Sequence, residues 1–130
     1  MAKKGTSNFL VIDDSRISRC ILDKTIHRCL EGREIVVHQA ATIAEAKDLL
    51  AKYNILIIFL DQYLTNENGF NFLKDIREEK NPTPVIIVSA EDEPETIEKS
   101  IELGANDYIV KPLLLDKVKA SIKKLLRHTV

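Results

Sequence analysis

Short apolar runs alternate along the chain with longer stretches in which apolar residues recur every three or four positions. The runs are rich in branched residues and too short for helices, so they predict five strands. The predicted strands are residues 9–12, 35–37, 55–60, 85–88 and 108–110. The longer stretches follow the helical period, and each predicted strand is therefore followed by a predicted helix.

The predicted helices have apolar faces and end signals. In the first helix we expect these residues to face the core: Ile17, Ile21, Leu22, Ile26, Cys29 and Leu30. Thr42 and Glu45 predict a capping box, and Gly104 suits a left-handed helix end. The other apolar series are Phe70, Leu73 and Ile76 after Gly69, then Ile97 and Ile101, then Leu114, Val118, Ile122 and Leu125.

Alternating strands and amphipathic helices predict an α/β fold: a five-stranded parallel sheet with helices on both faces. No linker, repeat or low-complexity tract interrupts the pattern, so we expect one domain over residues 1–130.

Composition excludes several classes of function. Apolar residues make up 45% of the chain, and 19 Lys+Arg against 20 Asp+Glu give no bulk attraction to nucleic acid or anionic lipid. No apolar run approaches the ~20 residues that span a bilayer, and no signal peptide is apparent, so we expect a cytoplasmic protein. Cys20 and Cys29 should lie on opposite faces of one helix. His27, His38 and His128 lack metal-ligand spacing.

Polar residues follow four of the predicted strands. Asp13 and Asp14 follow the first strand, Asp61 the third, Ser89 the fourth and Lys111 the fifth. Ligands of open α/β sheets bind at the carboxyl ends of the strands, so we expect these side chains to converge there.

These residue types suggest phosphoryl chemistry. Crowded carboxylates either raise a pKa or bind a hard cation such as Mg²⁺. Asp61 is placed to act as a carboxylate nucleophile that forms an aspartyl phosphate. Mg²⁺ and the Lys111 ammonium would neutralise the phosphoryl charge, and Ser89 could donate a hydrogen bond to a phosphoryl oxygen.

The segments "VIDDS", "IIFLDQYLTNENGF", "VIIVSAED" and "ANDYIVKP" resemble the receiver domain of two-component response regulators, of which the chemotaxis receiver is a single-domain form. The resemblance covers essentially the whole chain. It implies a flavodoxin-like sheet with strand order 2-1-3-4-5, the order of the chemotaxis receiver itself.

The resemblance also implies a function. Asp61 would accept a phosphoryl group from a sensor histidine kinase or a histidine phosphotransfer protein, and the domain would later hydrolyse it. Asp14 would be the main Mg²⁺ ligand, helped by Asp13, by Asp61 and by the backbone carbonyl of Tyr63. Lys111 would bind the phosphoryl group, with a cis peptide before Pro112.

A switch and its partners are implied in the same way. Ser89 and Tyr108 match the switch pair of the family, and the face formed by the fourth strand, fourth helix and fifth strand would be read by an unknown output protein. Donor choice would lie on the first helix around Ile17 and on the loop after Lys111. We expect a monomer or a weak phosphorylation-dependent dimer, with no direct contact to nucleic acid or membrane.

Several alternatives stand beside this interpretation. Asp13 could be a helix N-cap, Tyr108 a packed aromatic at the sheet edge, and the basic end of the chain a solvated face. A phosphorylation-independent interaction module would be expected to lack an acidic or lysine position. A hydrolase would need a second catalytic acid and a covering domain, and a DNA-binding regulator a recognition helix.

The sequence departs from the family pattern in the loop after Asp61. Thr65 stands where proline is common, and Glu67 where an apolar residue is common, so we expect a more mobile loop. Tyr63 and Glu91 occupy positions that flank the attacking water in the family. The hypothesis is that the Tyr63 ring shields the aspartyl phosphate and lengthens its life.

Overall fold

The structure, a computed structural model, describes residues 5–127, so His128 lies outside the described residues. Its strands are β1 Ser7–Ile12, β2 Ile35–Ala40, β3 Ile55–Asp61, β4 Tyr63–Leu64, β5 Glu67–Asn68, β6 Val85–Ser89 and β7 Asp107–Val110. Its helices are α1 Arg16–Cys29, α2 Ile43–Lys52, α3 Gly69–Glu78, α4 Pro94–Glu102 and α5 Leu115–Leu126.

Five strands form one parallel sheet in the order β2-β1-β3-β6-β7. This is the predicted order 2-1-3-4-5, since β6 and β7 are the fourth and fifth predicted strands, and the α/β fold class is confirmed. The sequence pattern did not predict β4 and β5, which pair antiparallel as a short hairpin between β3 and α3. This hairpin is called the β4–β5 hairpin below.

The two faces of the sheet are covered by separate apolar clusters. Side chains alternate along each strand, so neighbouring residues pack on opposite faces. Phe9 and Val11 of β1 join the cluster under α1 and α5, whereas Leu10 and Ile12 join the cluster under α2 and α3. The same alternation in β3 and β6 fixes which side chains emerge on each face at the carboxyl edge.

Helix ends follow local sequence. Ser15 is the N-cap of α1, and its hydroxyl accepts from the backbone N–H of Ser18, so the alternative in which Asp13 is the cap is wrong. Thr42 caps α2 by accepting from the N–H of Glu45 at 3.2 Å, as predicted. Gly104 has a φ of +111°, which confirms the left-handed helix end.

Two residues of the predicted α1 core are exposed. Ile17 and Ile21 are 74% and 51% exposed, whereas Leu22, Ile26 and Cys29 are buried. Ile21 lines an open cleft beside Lys111 instead of packing on the sheet, and the prediction for these two isoleucines is wrong. Helical period selects an apolar face but does not say which of its turns the sheet covers.

Some of the other residues predicted to lie on apolar helix faces are buried, and others are exposed. Ile101 and Leu114 are also about half exposed, while Val118, Ile122 and Leu125 of α5 are buried. Cys20 is exposed, Cys29 is buried, and both are free, which confirms their opposite orientation. Within residues 5–127, the helices are too short or too polar to cross a bilayer.

Candidate functional site

The carboxyl edge of the sheet brings the predicted residues together. Asp61 ends β3, and by the alternation of side chains it emerges on the same face as Phe59, the face covered by α1 and α5. Asp13 continues the face of Phe9 and Val11 in β1. Ser89 ends β6 on the opposite face. At this edge the carboxylates of Asp13 and Asp61 therefore lie on one face of the sheet, and the Ser89 hydroxyl lies on the other. The carboxylates of Asp13, Asp14 and Asp61 are called the acidic group below.

Three carboxylates form the acidic group. Asp13, Asp14 and Asp61 each offer a carboxylate oxygen, and these oxygens all lie within 4.8 Å of one another. Asp13 is buried, Asp61 is partly buried and Asp14 is exposed. Such a set of hard oxygen donors, open to water on one side, fits a small divalent cation that keeps part of its hydration shell.

Lys111 lies beside the carboxylates. Its Nζ is 3.5 Å from Asp13 Oδ2 and 3.9 Å from Asp61 Oδ2. The Lys111–Pro112 peptide is cis, as the resemblance implied. The Lys111 ammonium thus lies close to both Asp13 and Asp61. In this position it could also form an ion pair with an anionic group bound to Asp61.

The Asp61 carboxylate has a raised pKa. Burial, with repulsion from Asp13, raises the pKa of Asp61 from 3.8 to about 6. The Lys111 charge and the backbone N–H of Tyr63, which donates to Asp61 Oδ1 at 3.2 Å, oppose this rise. A bound cation would favour the ionised form of this carboxylate.

Glu91 links the hydroxyl and aromatic residues of the site. Its N–H donates to Ser89 Oγ at 3.1 Å, and its backbone carbonyl accepts from the Tyr108 hydroxyl at 2.8 Å. Its carboxylate accepts from the Tyr63 hydroxyl at 2.6 Å and from Thr96. Ser89 is buried and Tyr108 partly buried, while Tyr63 is 55% exposed. The segment after β6 is therefore tied to both tyrosines.

Three further residues support the site and were missed by sequence reasoning. The Arg19 guanidinium donates to the backbone carbonyl of Asp13 at 2.8 Å. Thr65 donates to Asp14 from both its N–H and its hydroxyl. Gly69 approaches the backbone of Asp61 closely. The Thr65 contact joins residues 51 positions apart, and neither it nor the two shorter-range contacts follow from the period of a helix or strand.

Comparison with known proteins identifies the family. The family model of the response regulator receiver domain matches residues 9–123. The chain belongs to the response regulator receiver domain family. It is thus a receiver of two-component signalling, and the suspected resemblance is confirmed.

Relatives and solved structures agree with this assignment. The transcriptional regulatory protein SrrA of Staphylococcus aureus is 33% identical over 124 residues, which cover 95% of this chain and 49% of that protein. The chain thus spans about half the length of the curated relatives it matches. The receiver domain of the Francisella response regulator 1452 superposes with a TM-score of 0.80 at 28% identity, covering 96% of this chain and 100% of that chain. A two-component response regulator from Clostridium difficile gives a TM-score of 0.85 at 25% identity, with coverages of 95% and 98%.

The raised pKa of Asp61 makes the stability of the metal-free receiver depend on pH. Because the folded-state value of about 6 lies above 3.8, the folded state binds this proton more tightly than the unfolded chain. The penalty for the charged form is absent below pH 3.8, grows as pH rises, and is complete above about pH 6. Asp61→Asn should therefore stabilise the metal-free protein at pH 7.5 by on the order of 2 kcal/mol after solvent screening.

Urea unfolding in EDTA at pH 7.5 and near pH 4 measures this effect. Titrating groups remote from Asp61 cancel in the difference between the two proteins, so the gain from Asp61→Asn should be large at pH 7.5 and small near pH 4. An equal gain at both pH values would contradict the assignment of the raised pKa.

Proposed function

We propose that this receiver accepts a phosphoryl group on Asp61 from a phosphohistidine donor, in a reaction that requires Mg²⁺, and that phosphorylation changes its surface for an output partner. The observation that carries the proposal is the joint position of three carboxylates, with oxygens within 4.8 Å, and the Lys111 ammonium beside them. An acidic cluster alone could bind many cations. The Lys111 ammonium beside it adds a positive charge that can bind an anion, so the site suits a cation and a phosphoryl group bound together.

Each residue at the acidic edge has a proposed role. Asp14 is the main Mg²⁺ ligand, Asp13 contributes directly or through water, and Asp61 and the backbone carbonyl of Tyr63 complete the protein ligands. Mg²⁺, when bound, neutralises part of the charge on the phosphoryl group. The donor set supports this assignment because carboxylate and carbonyl oxygens are the ligands that Mg²⁺ prefers.

Asp61 itself is held for attack by the chain. The N–H of Tyr63 occupies Oδ1, while Oδ2 faces Lys111 at 3.9 Å. We assign Oδ2 as the nucleophilic oxygen, since a phosphoryl group bound there would lie next to the ammonium. Lys111 then binds a phosphoryl oxygen and stabilises the charge that builds up during transfer.

Ser89 and Tyr108 form the proposed switch. Ser89 Oγ accepts from the N–H of Glu91 and interacts with the Tyr108 hydroxyl, and its own proton can be given to a phosphoryl oxygen in exchange for that interaction. Movement of Ser89 toward Asp61 would break this bond and disturb the segment that holds the Tyr108 hydroxyl. The ring would then turn inward and alter the face formed by β6, α4 and β7, which an output protein reads.

The donor protein is proposed to dock beside Lys111. An open cleft of about 250 Å³ lies between α1 and the loop after β7, and Ile21, Pro112 and Leu113 line it. Ile17 is exposed on the same helix. An apolar surface next to a charged acceptor suits a helical phosphohistidine protein, namely a sensor histidine kinase or a phosphotransfer protein.

The proposal also covers the extent of the domain and its oligomeric state. We treat residues 1–130 as one receiver domain, monomeric or weakly dimeric after phosphorylation. The alternative, a phosphorylation-independent interaction module, is disfavoured because every acidic, hydroxyl and lysine position of the site is retained.

Phosphoramidate tests the donor chemistry, because it carries the phosphorus–nitrogen bond of phosphohistidine. Wild type incubated with phosphoramidate and Mg²⁺ should form a phosphoprotein that hydroxylamine cleaves, as expected for an acyl phosphate. Asp61→Asn should form none. A hydroxylamine-resistant product, or equal labelling of the variant, would contradict the proposal.

Tyr63 is proposed to lengthen the life of the aspartyl phosphate. Tyr63 lies two residues after Asp61, and its hydroxyl donates to the Glu91 carboxylate at 2.6 Å, which ties the ring to the segment after β6. Tyr63→Asn should remove the ring and speed dephosphorylation severalfold, whereas Tyr63→Phe keeps the ring and isolates the hydrogen bond. Loss of phosphoprotein after removal of the donor measures both rates, and an unchanged rate in Tyr63→Asn would exclude shielding.

A further inference from the structure

Thr65 contacts the exposed carboxylate of the acidic group. Its backbone N–H donates to Asp14 Oδ2 at 2.8 Å, and its hydroxyl donates to the same oxygen. The two residues are 51 positions apart in sequence, and both are exposed, so burial does not force them together. Two donors from one residue on one carboxylate oxygen fix the orientation of that carboxylate.

The β4–β5 hairpin holds Thr65 in place. Leu64 is buried beneath the turn and pairs with Glu67, whose carboxylate accepts from the N–H of Ile43 at the start of α2, at 3.3 Å. Asn66, next to Thr65 in the turn, has a φ of +63°. Thr65 and Glu67, the two departures from the family pattern, both form anchoring contacts, and the expected mobility of this loop stays a prediction.

This anchoring matters for cation binding. An exposed aspartate loses side-chain freedom when it becomes a metal ligand, and that loss weakens binding. With Oδ2 held by Thr65, the Asp14 carboxylate is already oriented, and within residues 5–127 no hydrogen bond occupies its Oδ1. Hydrogen-bond partners of metal ligands act in this way, and their loss typically costs about 10- to 100-fold in affinity.

We infer that Thr65 is a positioning residue for Mg²⁺: it orients Asp14 so that Oδ1 is presented to the cation, and it thereby links the β4–β5 hairpin to the metal site. The inference rests on the proposed Mg²⁺ site. It concerns the apparent affinity for the cation and is independent of the identity of the phosphoryl donor.

Titration calorimetry with MgCl₂ on the unphosphorylated protein tests the role. Thr65→Val keeps the shape and the N–H but removes the hydroxyl donor, so the Kd should rise about tenfold, the lower end of the range for loss of such a partner. Thr65→Ser restores a hydroxyl and should bind as wild type does. Thr25→Val is the matched control, since the Thr25 hydroxyl donates to the Ile21 carbonyl on α1, away from the acidic group.

The outcomes separate this inference from the metal site itself. If wild type binds Mg²⁺ and Thr65→Val binds it equally well or more tightly, then Thr65 does not position Asp14 for the cation. The proposed Mg²⁺ site itself is still supported in that case. If Thr65→Ser is impaired as much as Thr65→Val, a hydroxyl at this position does not restore binding, and the inference is again wrong. If wild type binds no Mg²⁺, the metal site and the inference both fail. Urea unfolding in EDTA verifies that each variant is folded. If Thr65→Val does not fold, Thr65→Ala is used in its place.

Discussion

Replacing Lys111 with alanine is expected to slow phosphoryl uptake by Asp61 by about 100- to 1000-fold, the usual cost of removing one group that stabilises charge in a transition state. The ammonium is 3.9 Å from Asp61 Oδ2 and is partly buried, so its charge is poorly screened by water. It also opposes the rise in the pKa of Asp61. Its loss should therefore weaken both the nucleophile and the stabilisation of the phosphoryl group.

Initial rates of phosphoprotein formation from acetyl phosphate measure this effect. Lys117→Ala, at an exposed lysine of α5, removes the same charge away from the acidic group and should react as wild type does. Mg²⁺ affinity should not fall in Lys111→Ala, because the ammonium repels the cation. A near-normal rate in Lys111→Ala would contradict the assigned role.

Substituting Gly69 with alanine is expected to destabilise the fold by about 1–3 kcal/mol, the usual cost of overpacking. A Cβ at this position would lie 2.3 Å from the backbone carbonyl oxygen of Asp61 and 3.1 Å from the Cα of Gln62. Both atoms belong to the backbone, so no side-chain rotation relieves the clash. The N–H of Gly69 also donates to the Gln62 carbonyl at 2.6 Å, which fixes the start of α3 against the end of β3.

Urea unfolding of Gly69→Ala and Gly5→Ala measures this cost. Gly5 is the control, since its Cβ would meet nothing within 4 Å. Phosphoryl uptake should also fall in Gly69→Ala, because relief of the clash displaces the backbone of the acceptor. Equal unfolding midpoints for Gly69→Ala and wild type would contradict the close approach.

Sequence reasoning succeeded where a residue's position follows from the strand that carries it. Asp13, Asp61 and Lys111 each follow an apolar run of branched residues, and the carboxyl ends of parallel strands meet at one edge. Convergence of these side chains could therefore be predicted before any contact was known. The strand order came from the family resemblance, since periodicity does not determine which strands are neighbours.

Sequence reasoning failed where contacts join distant segments. The contact between Thr65 and Asp14 spans 51 residues, and the two-residue strands of the β4–β5 hairpin are too short for periodicity to indicate. Ile17 and Ile21 follow the apolar face of α1 but lie beyond the sheet that covers its later turns. In the sequence, an exposed apolar residue beside a functional site has the same helical spacing as a residue of the core, so the spacing does not distinguish the two.

The central claim is that Asp61 is phosphorylated with the help of a cation held by Asp13 and Asp14. Intact-mass measurement after incubation with acetyl phosphate, in Mg²⁺ or in EDTA, tests it most directly. Wild type should gain about 80 Da, the mass of one phosphoryl group, in Mg²⁺ only, and Asp61→Asn should gain nothing. An adduct of the same size on Asp61→Asn, or one on wild type that is unaffected by EDTA, would contradict the account.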